Sequence, residues 1–175
     1  MVSGYEIRRA APEHVPHLQA IELAATRVFP EEDLPEKARS EPIPLESYRS
    51  AAAEGRLWLA LQVPEPPVGF ALLEYLDGVV HLRELDVHPD HARRGLGTAL
   101  LAAVSRWATL EGYEAITLTT FRHLSWNGPY YEREGFRELE CDEITPGLAR
   151  ILNAEAAAGL THRIAMRLEL FRKEG

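Results

Sequence analysis

The sequence predicts a mixed α/β domain over residues 1–175, and three observations carry that prediction. Short apolar runs rich in β-branched residues alternate with stretches of helical period. Asp77-Gly78 lies between two such runs and marks a β-hairpin, because both central residues of a type I′ turn need φ > 0. Gly95-Leu96-Gly97 follows a strand-like run and opens an amphipathic helix.

Tyr5–Arg8 reads as a first strand. Pro12 suits the first turn of a helix, and Val15, Leu18, Ile21 and Ala25 carry it with helical spacing to Arg27. Six acids from Glu31 to Glu46, with Pro30 just before them and Pro35, Pro42 and Pro44 among them, predict a loop. Leu45–Glu54 is a second helix closed by Gly55. Leu57–Val63 and Val68–Leu76 are strands, separated by Pro64-Glu65-Pro66-Pro67, which cannot be strand interior. Val79–Val87 returns from the hairpin and stops at His88-Pro89.

Leu100, Val104 and Trp107 then form one face of a helix that ends at Gly112, and Ala115–Phe121 is a buried strand. Asn127 is the expected N-cap of a short helix with Pro129 in its first turn, ended by Gly135. A strand from Phe136, a helix Pro146–Ala158 and a strand Arg163–Leu170 complete the order.

Composition narrows the function. A chain of 175 residues, 46% hydrophobic, can bury about 70% of its unfolded surface and needs no metal or disulfide to fold. Its net charge of −8 argues against a general nucleic-acid binder. No stretch approaches the roughly 18–20 apolar residues of a membrane span, and the first residues, with no apolar run behind a basic start, lead us to expect no signal peptide. A cytoplasmic protein, alone or as a homodimer, is the expectation. Cys141 is the single cysteine, and no carboxylate stands at ligand spacing beside His81, His88 and His91, so no metal site is expected.

The chemistry concentrates in Leu85-Asp86-Val87-His88-Pro89-Asp90-His91-Ala92-Arg93-Arg94-Gly95-Leu96-Gly97-Thr98. Two glycines let the backbone approach a ligand, and the first N–H groups of the helix have no intrahelical acceptor. With the positive end of the helix dipole and two arginines, the segment suits a phosphate or pyrophosphate. It lacks the lysine of a Walker loop. The dinucleotide fingerprint needs a third small residue where Leu100 stands.

This segment resembles the acetyl-CoA loop of the GNAT superfamily of N-acetyltransferases, Gln/Arg-x-x-Gly-x-Gly/Ala after a strand ending in Val-x-Pro. Tyr131-Glu132-Arg133-Glu134-Gly135-Phe136 resembles the family's second signature, Tyr-x-x-x-Gly-Phe. The resemblance covers nearly the whole chain and implies a mixed, mostly antiparallel central sheet flanked by helices. It implies a transferase that moves acetyl from acetyl-CoA to a primary amine of a small molecule, directly and through a tetrahedral intermediate. A protein N-terminus or lysine as acceptor, and a non-catalytic acyl-CoA-binding module, are the alternatives.

By the same resemblance, the backbones of Leu85, Asp86 and Val87 would bond the pantetheine arm. The N–H groups of Arg94, Gly95, Leu96, Gly97 and Thr98 would meet the pyrophosphate. Ala92 replaces the family's Gln or Arg, leaving that contact to Arg93 or Arg94. The family's asparagine position falls on Leu124, so Asn127 is either a cofactor contact or a plain N-cap. Tyr131 would be the general acid, since a phenol with a pKa of about 10 is protonated at neutral pH. Glu84 ranks first as base, His81 second and His123 third; Glu84 and His81 differ in strand parity. The acids Glu31, Glu32, Asp33, Glu36 and Glu41 suggest a cationic acceptor.

Overall fold

Runs such as Leu57-Trp58-Leu59-Ala60-Leu61 hold too few polar residues for a solvated surface, and they become sheet interior. The structure, a computed structural model, describes residues 2–63 and 66–170. Seven strands form one open sheet: β1 (Tyr5–Arg9), β2 (Leu57–Gln62), β3 (Pro67–Leu76), β4 (Val79–Val87), β5 (Ala115–Phe121), β6 (Arg137–Glu138) and β7 (Arg163–Glu169). Their order is β1-β2-β3-β4-β5-β7-β6, mostly antiparallel. The helices are α1 (Leu18–Thr26), α2 (Glu36–Ser40), α3 (Leu45–Ala53), α4 (Leu96–Leu110), α5 (Gly128–Arg133) and α6 (Pro146–Ala157). No helix of the described residues is long and apolar enough to cross a membrane.

The described chain divides into two compact units, one from the stretch up to Leu73 with Arg83–Val104, the other from Glu74–Leu82 with the stretch from Ser105 on. In the first unit β1 and β2 pair from Tyr5↔Gln62 to Arg9↔Trp58, and β2 lies antiparallel on β3 with a register shift between Ala60 and Leu61. Leu18, Ile21, Tyr48, Leu57, Leu59 and Phe70 build its core, with the Tyr48 and Phe70 rings edge to face at 5.4 Å. The helix expected from Pro12 begins as a 3-10 turn, Pro12–His17, because Pro16 has no N–H for an α-helical bond. The acidic segment is not wholly loop. Its five-residue α2 is braced where Arg39 donates to the carbonyls of Leu34 and Phe29, both at 2.8 Å.

In the second unit Asp77 (φ 50°) and Gly78 (φ 84°) make the expected hairpin turn. The turn also caps a helix: the Asp77 carboxylate accepts from the Thr145 hydroxyl and from the Gly147 N–H at the start of α6. β4 pairs with β5 in parallel at Val80↔Ile116 and His81↔Thr117, and β5 pairs with β7 along its length. α6 packs Leu148 against Leu139 and Ala165. Its Glu155 accepts from Arg163 and Thr119. The strand expected from Phe136 is only two residues long, Arg137–Glu138. Pro64 and Glu65 of the expected break lie outside the described residues.

One buried acid ties the helices of the first unit together. Glu22 of α1 is 9% exposed and accepts from the Ile43 N–H at 3.0 and 3.1 Å and from the Tyr48 hydroxyl at 2.6 Å. Burial raises its pKa above the ordinary carboxylate value, although the Tyr48 and Ile43 hydrogen bonds pull the other way. A raised folded-state pKa favours the protonated protein. The contribution of Glu22 to stability is therefore fully present below its unfolded pKa and is lost as pH rises through the folded one. Melting wild type and Glu22→Gln side by side checks this. The advantage of the wild type should shrink between pH 4.5 and 8, and a constant or growing advantage would contradict it.

Candidate active site

β4 runs out at Val87, and the next N–H, of His88, donates to the Val68 carbonyl at 2.8 Å. Close approach of β3 to this strand end depends on Gly69. A Cβ there would stand 2.8 Å from the Asp86 carbonyl oxygen and 3.2 Å from a Val87 methyl. Pro89–His91 form a 3-10 turn. The chain then passes through Arg93 (φ 58°) and Gly95 (φ 78°), two left-handed residues that swing it into α4. The Ala99 N–H donates to the Gly95 carbonyl at 2.9 Å. The N–H groups of Gly95, Leu96 and Gly97 precede that bond, at the end where helix donors lack intrahelical acceptors.

The two arginines differ. Arg93 is exposed, and no side-chain hydrogen bond or ion pair joins it to another described residue. Arg94 is engaged: it donates to the Tyr5 hydroxyl oxygen at 3.0 Å and to the Asp90 carbonyl at 3.3 Å. Left-handed backbone, helix-end donors and an uncommitted guanidinium fit a phosphate-bearing ligand such as acetyl-CoA.

Upstream on β4, Glu84 and Asp86 are both half-buried. Burial, followed by the charges of Glu84 and Glu22, drives the Asp86 pKa well above the ordinary carboxylate value. Burial and then Glu22, Glu84 and Asp86 likewise hold the Tyr48 phenol protonated far beyond its usual range. The sequence reading missed this cluster, having taken Asp86 for its backbone alone. The signal was Glu22, an acid on the apolar stripe of Leu18, Ile21 and Ala25.

Among the other expected residues, His81 is 3% exposed with Nδ1 3.0 Å from the Thr117 hydroxyl oxygen. Leu85 and Val87 are half-buried, and Thr98 is exposed on the first turn of α4. In the second unit Tyr131 is 9% exposed on α5, edge to face with Tyr130 at 5.1 Å and Phe136 at 5.6 Å. Its N–H donates to the Asn127 carbonyl, and its own carbonyl accepts from Phe136. Asn127 stands at the N-cap position, but its side chain caps nothing, contrary to expectation. Its Nδ2 donates to the Trp126 carbonyl at 3.1 Å and its Oδ1 is buried without a hydrogen bond. His123 is exposed and packs on His162 at 4.9 Å.

No group of three or more possible metal ligands occurs among the described residues. Two cavities, of about 280 and 570 Å³, have none of the expected site residues in their walls.

The acetyltransferase (GNAT) family profile matches residues 18–136. Among solved structures, the chain is similar to the PaiA N-acetyltransferase of Thermoplasma acidophilum in complex with coenzyme A. That match has 17% identity and a TM-score of 0.70, over 94% of this chain and 98% of that one. It is also similar to the ribosomal-protein-S18-alanine N-acetyltransferase of Escherichia coli, at 20% identity and TM-score 0.68, over 98% and 97%. The N-acetylglutamate synthase of Neisseria gonorrhoeae, complexed with coenzyme A and N-acetyl-glutamate, matches at 19% and 0.71, over 96% of this chain and 35% of that one. These likenesses place the fold, and the profile, matching more than half of the sequence, places the family: the chain belongs to the acetyltransferase (GNAT) family and is an acyltransferase that uses acetyl-CoA.

Proposed function

We propose that residues 1–175 act as a single GNAT domain that moves the acetyl group of acetyl-CoA onto a primary amine of a small molecule. The observation that carries the cofactor half is the loop from Arg93 to Thr98, where left-handed backbone delivers helix-end donors and the exposed Arg93 to one place. In this reading the N–H groups of Arg94 through Thr98 hold the pyrophosphate. The β4 backbone at Leu85, Asp86 and Val87 holds the pantetheine arm, and a β4 N–H stabilises the tetrahedral oxyanion. Asn127, whose Oδ1 lacks a partner, adds a polar contact to the cofactor. Tyr131 protonates the departing thiolate.

Glu84 takes the amine proton through water. His81, nearly sealed and bonded to Thr117, is the second choice, and His123 the third. The preference for a cationic small molecule rests on charge. Glu84 and Glu22 lie close enough to Asp86 to raise its pKa, and Glu31, Glu32, Glu36 and Glu41 are exposed on the neighbouring segment of the same unit, whereas Asp33, expected with them, is buried. Such a surface concentrates ammonium ions.

Two measurements test the assignment. Gly97→Glu puts a negative side chain among the donors, and calorimetry should show CoA affinity falling at least about tenfold, near 1.4 kcal/mol. Unchanged affinity in a folded variant would remove the loop from the binding site. Tyr131→Phe keeps the ring and loses the proton, so turnover should fall about 10²-fold while CoA affinity changes little. Wild-type turnover in that variant would make Tyr131 a packing residue.

A further inference from the structure

Tyr5 opens β1, opposite Gln62 of β2, yet its hydroxyl reaches the phosphate loop 86 residues away in sequence. Arg94 Nη1 donates to the Tyr5 oxygen at 3.0 Å, and that oxygen lies 2.8 Å from His91 Nδ1. The Tyr5 and His91 rings meet edge to face at 5.8 Å and 87°. A phenol that accepts from a guanidinium still has its hydrogen to give, and donation to Nδ1 requires neutral His91 with its proton on Nε2. The surroundings agree: burial, then the charges of Arg94 and His88, lower the His91 pKa against the opposing pull of Asp90.

The Tyr5 hydroxyl, hydrogen-bonded to both Arg94 and His91, clamps the two residues on either side of Ala92-Arg93. Between the clamped residues, Arg93 holds a left-handed backbone that a residue with a Cβ does not choose unaided. Arg94 is drawn back toward β1, and Arg93 is left facing solvent. We propose that Tyr5 is a positioning residue for cofactor binding. Through His91 and Arg94 it holds the loop in its ligand-ready form, so that little ordering remains when the pyrophosphate arrives. The proposal rests on the reading of this loop as the acetyl-CoA site.

Tyr5→Phe keeps the ring and removes the relay. Calorimetry with CoA and with pantetheine, which lacks the pyrophosphate, separates positioning from general damage. In the variant the Kd for CoA should rise about 3–10-fold, the scale of one hydrogen bond. The Kd for pantetheine and the melting temperature should stay close to wild type. His91→Phe should reproduce the effect, and the double variant should bind CoA no more weakly than either single one. An unchanged CoA affinity in Tyr5→Phe, or equal losses for CoA and pantetheine, would overturn the proposal. If Tyr5→Phe does not fold, His91→Phe decides by the same two affinities. Failure of the underlying reading looks different: the wild type itself would bind CoA no more tightly than pantetheine.

Discussion

An α-helix cannot satisfy its own first N–H groups, and in this protein that constraint is met at the end of a strand. β4 stops, the chain turns twice through left-handed backbone, and the donors of α4 emerge with Arg93 beside them. Such an array in a small space favours an anion with several oxygens. The neighbouring features of the first unit serve that junction. Gly69 lets β3 lie against the end of β4, the His88 N–H bonds back to Val68, and Tyr5 ties β1 to the turn.

Acidic groups give the same unit its second character. Burial raises the proton affinity of Glu22 and Asp86, the charges of Glu84 and Glu22 raise that of Asp86 further, and the Tyr48 phenol beside Glu22 stays protonated. A cation beside such carboxylates would offset the repulsion that raises the Asp86 pKa. The hydrogen bonds from Ile43 and Tyr48 make Glu22 a structural member of the cluster, joining α1 to α3. The resident charge and the packing of the helices are therefore not separable at this residue.

Features set by neighbours in sequence were legible in the sequence. The Asp77-Gly78 turn and the period of α4 are local, and the structure has them where the residues require. Proline cut both ways. It marked the loops, but Pro16 also turned the expected helix start into a 3-10 segment. The short α2 is held by Arg39 reaching Phe29 and Leu34, contacts that no periodicity records. Asn127 carries a good N-cap residue type, yet its ψ of −108° leaves the side chain unable to cap. The Tyr5–His91 bond joins residues 86 apart, so only the folded chain reveals it. Glu22 lies between these cases: an acid on an apolar helix stripe is readable as unusual, but its partners Ile43 and Tyr48 are not.

The function we propose joins a phosphate-binding role for the loop before α4 to acetylation of small amines beside a carboxylate-rich unit. Thiol release from acetyl-CoA, followed across a panel of small cationic, neutral and anionic amines and peptides at low and high salt, tests it most directly. Release above the acceptor-free rate is expected with small cationic amines, weakening as the Debye length falls from about 30 Å at 0.01 M salt to about 3 Å at 1 M. Release only with peptides or anionic amines, or none from a protein that still binds CoA, would contradict it.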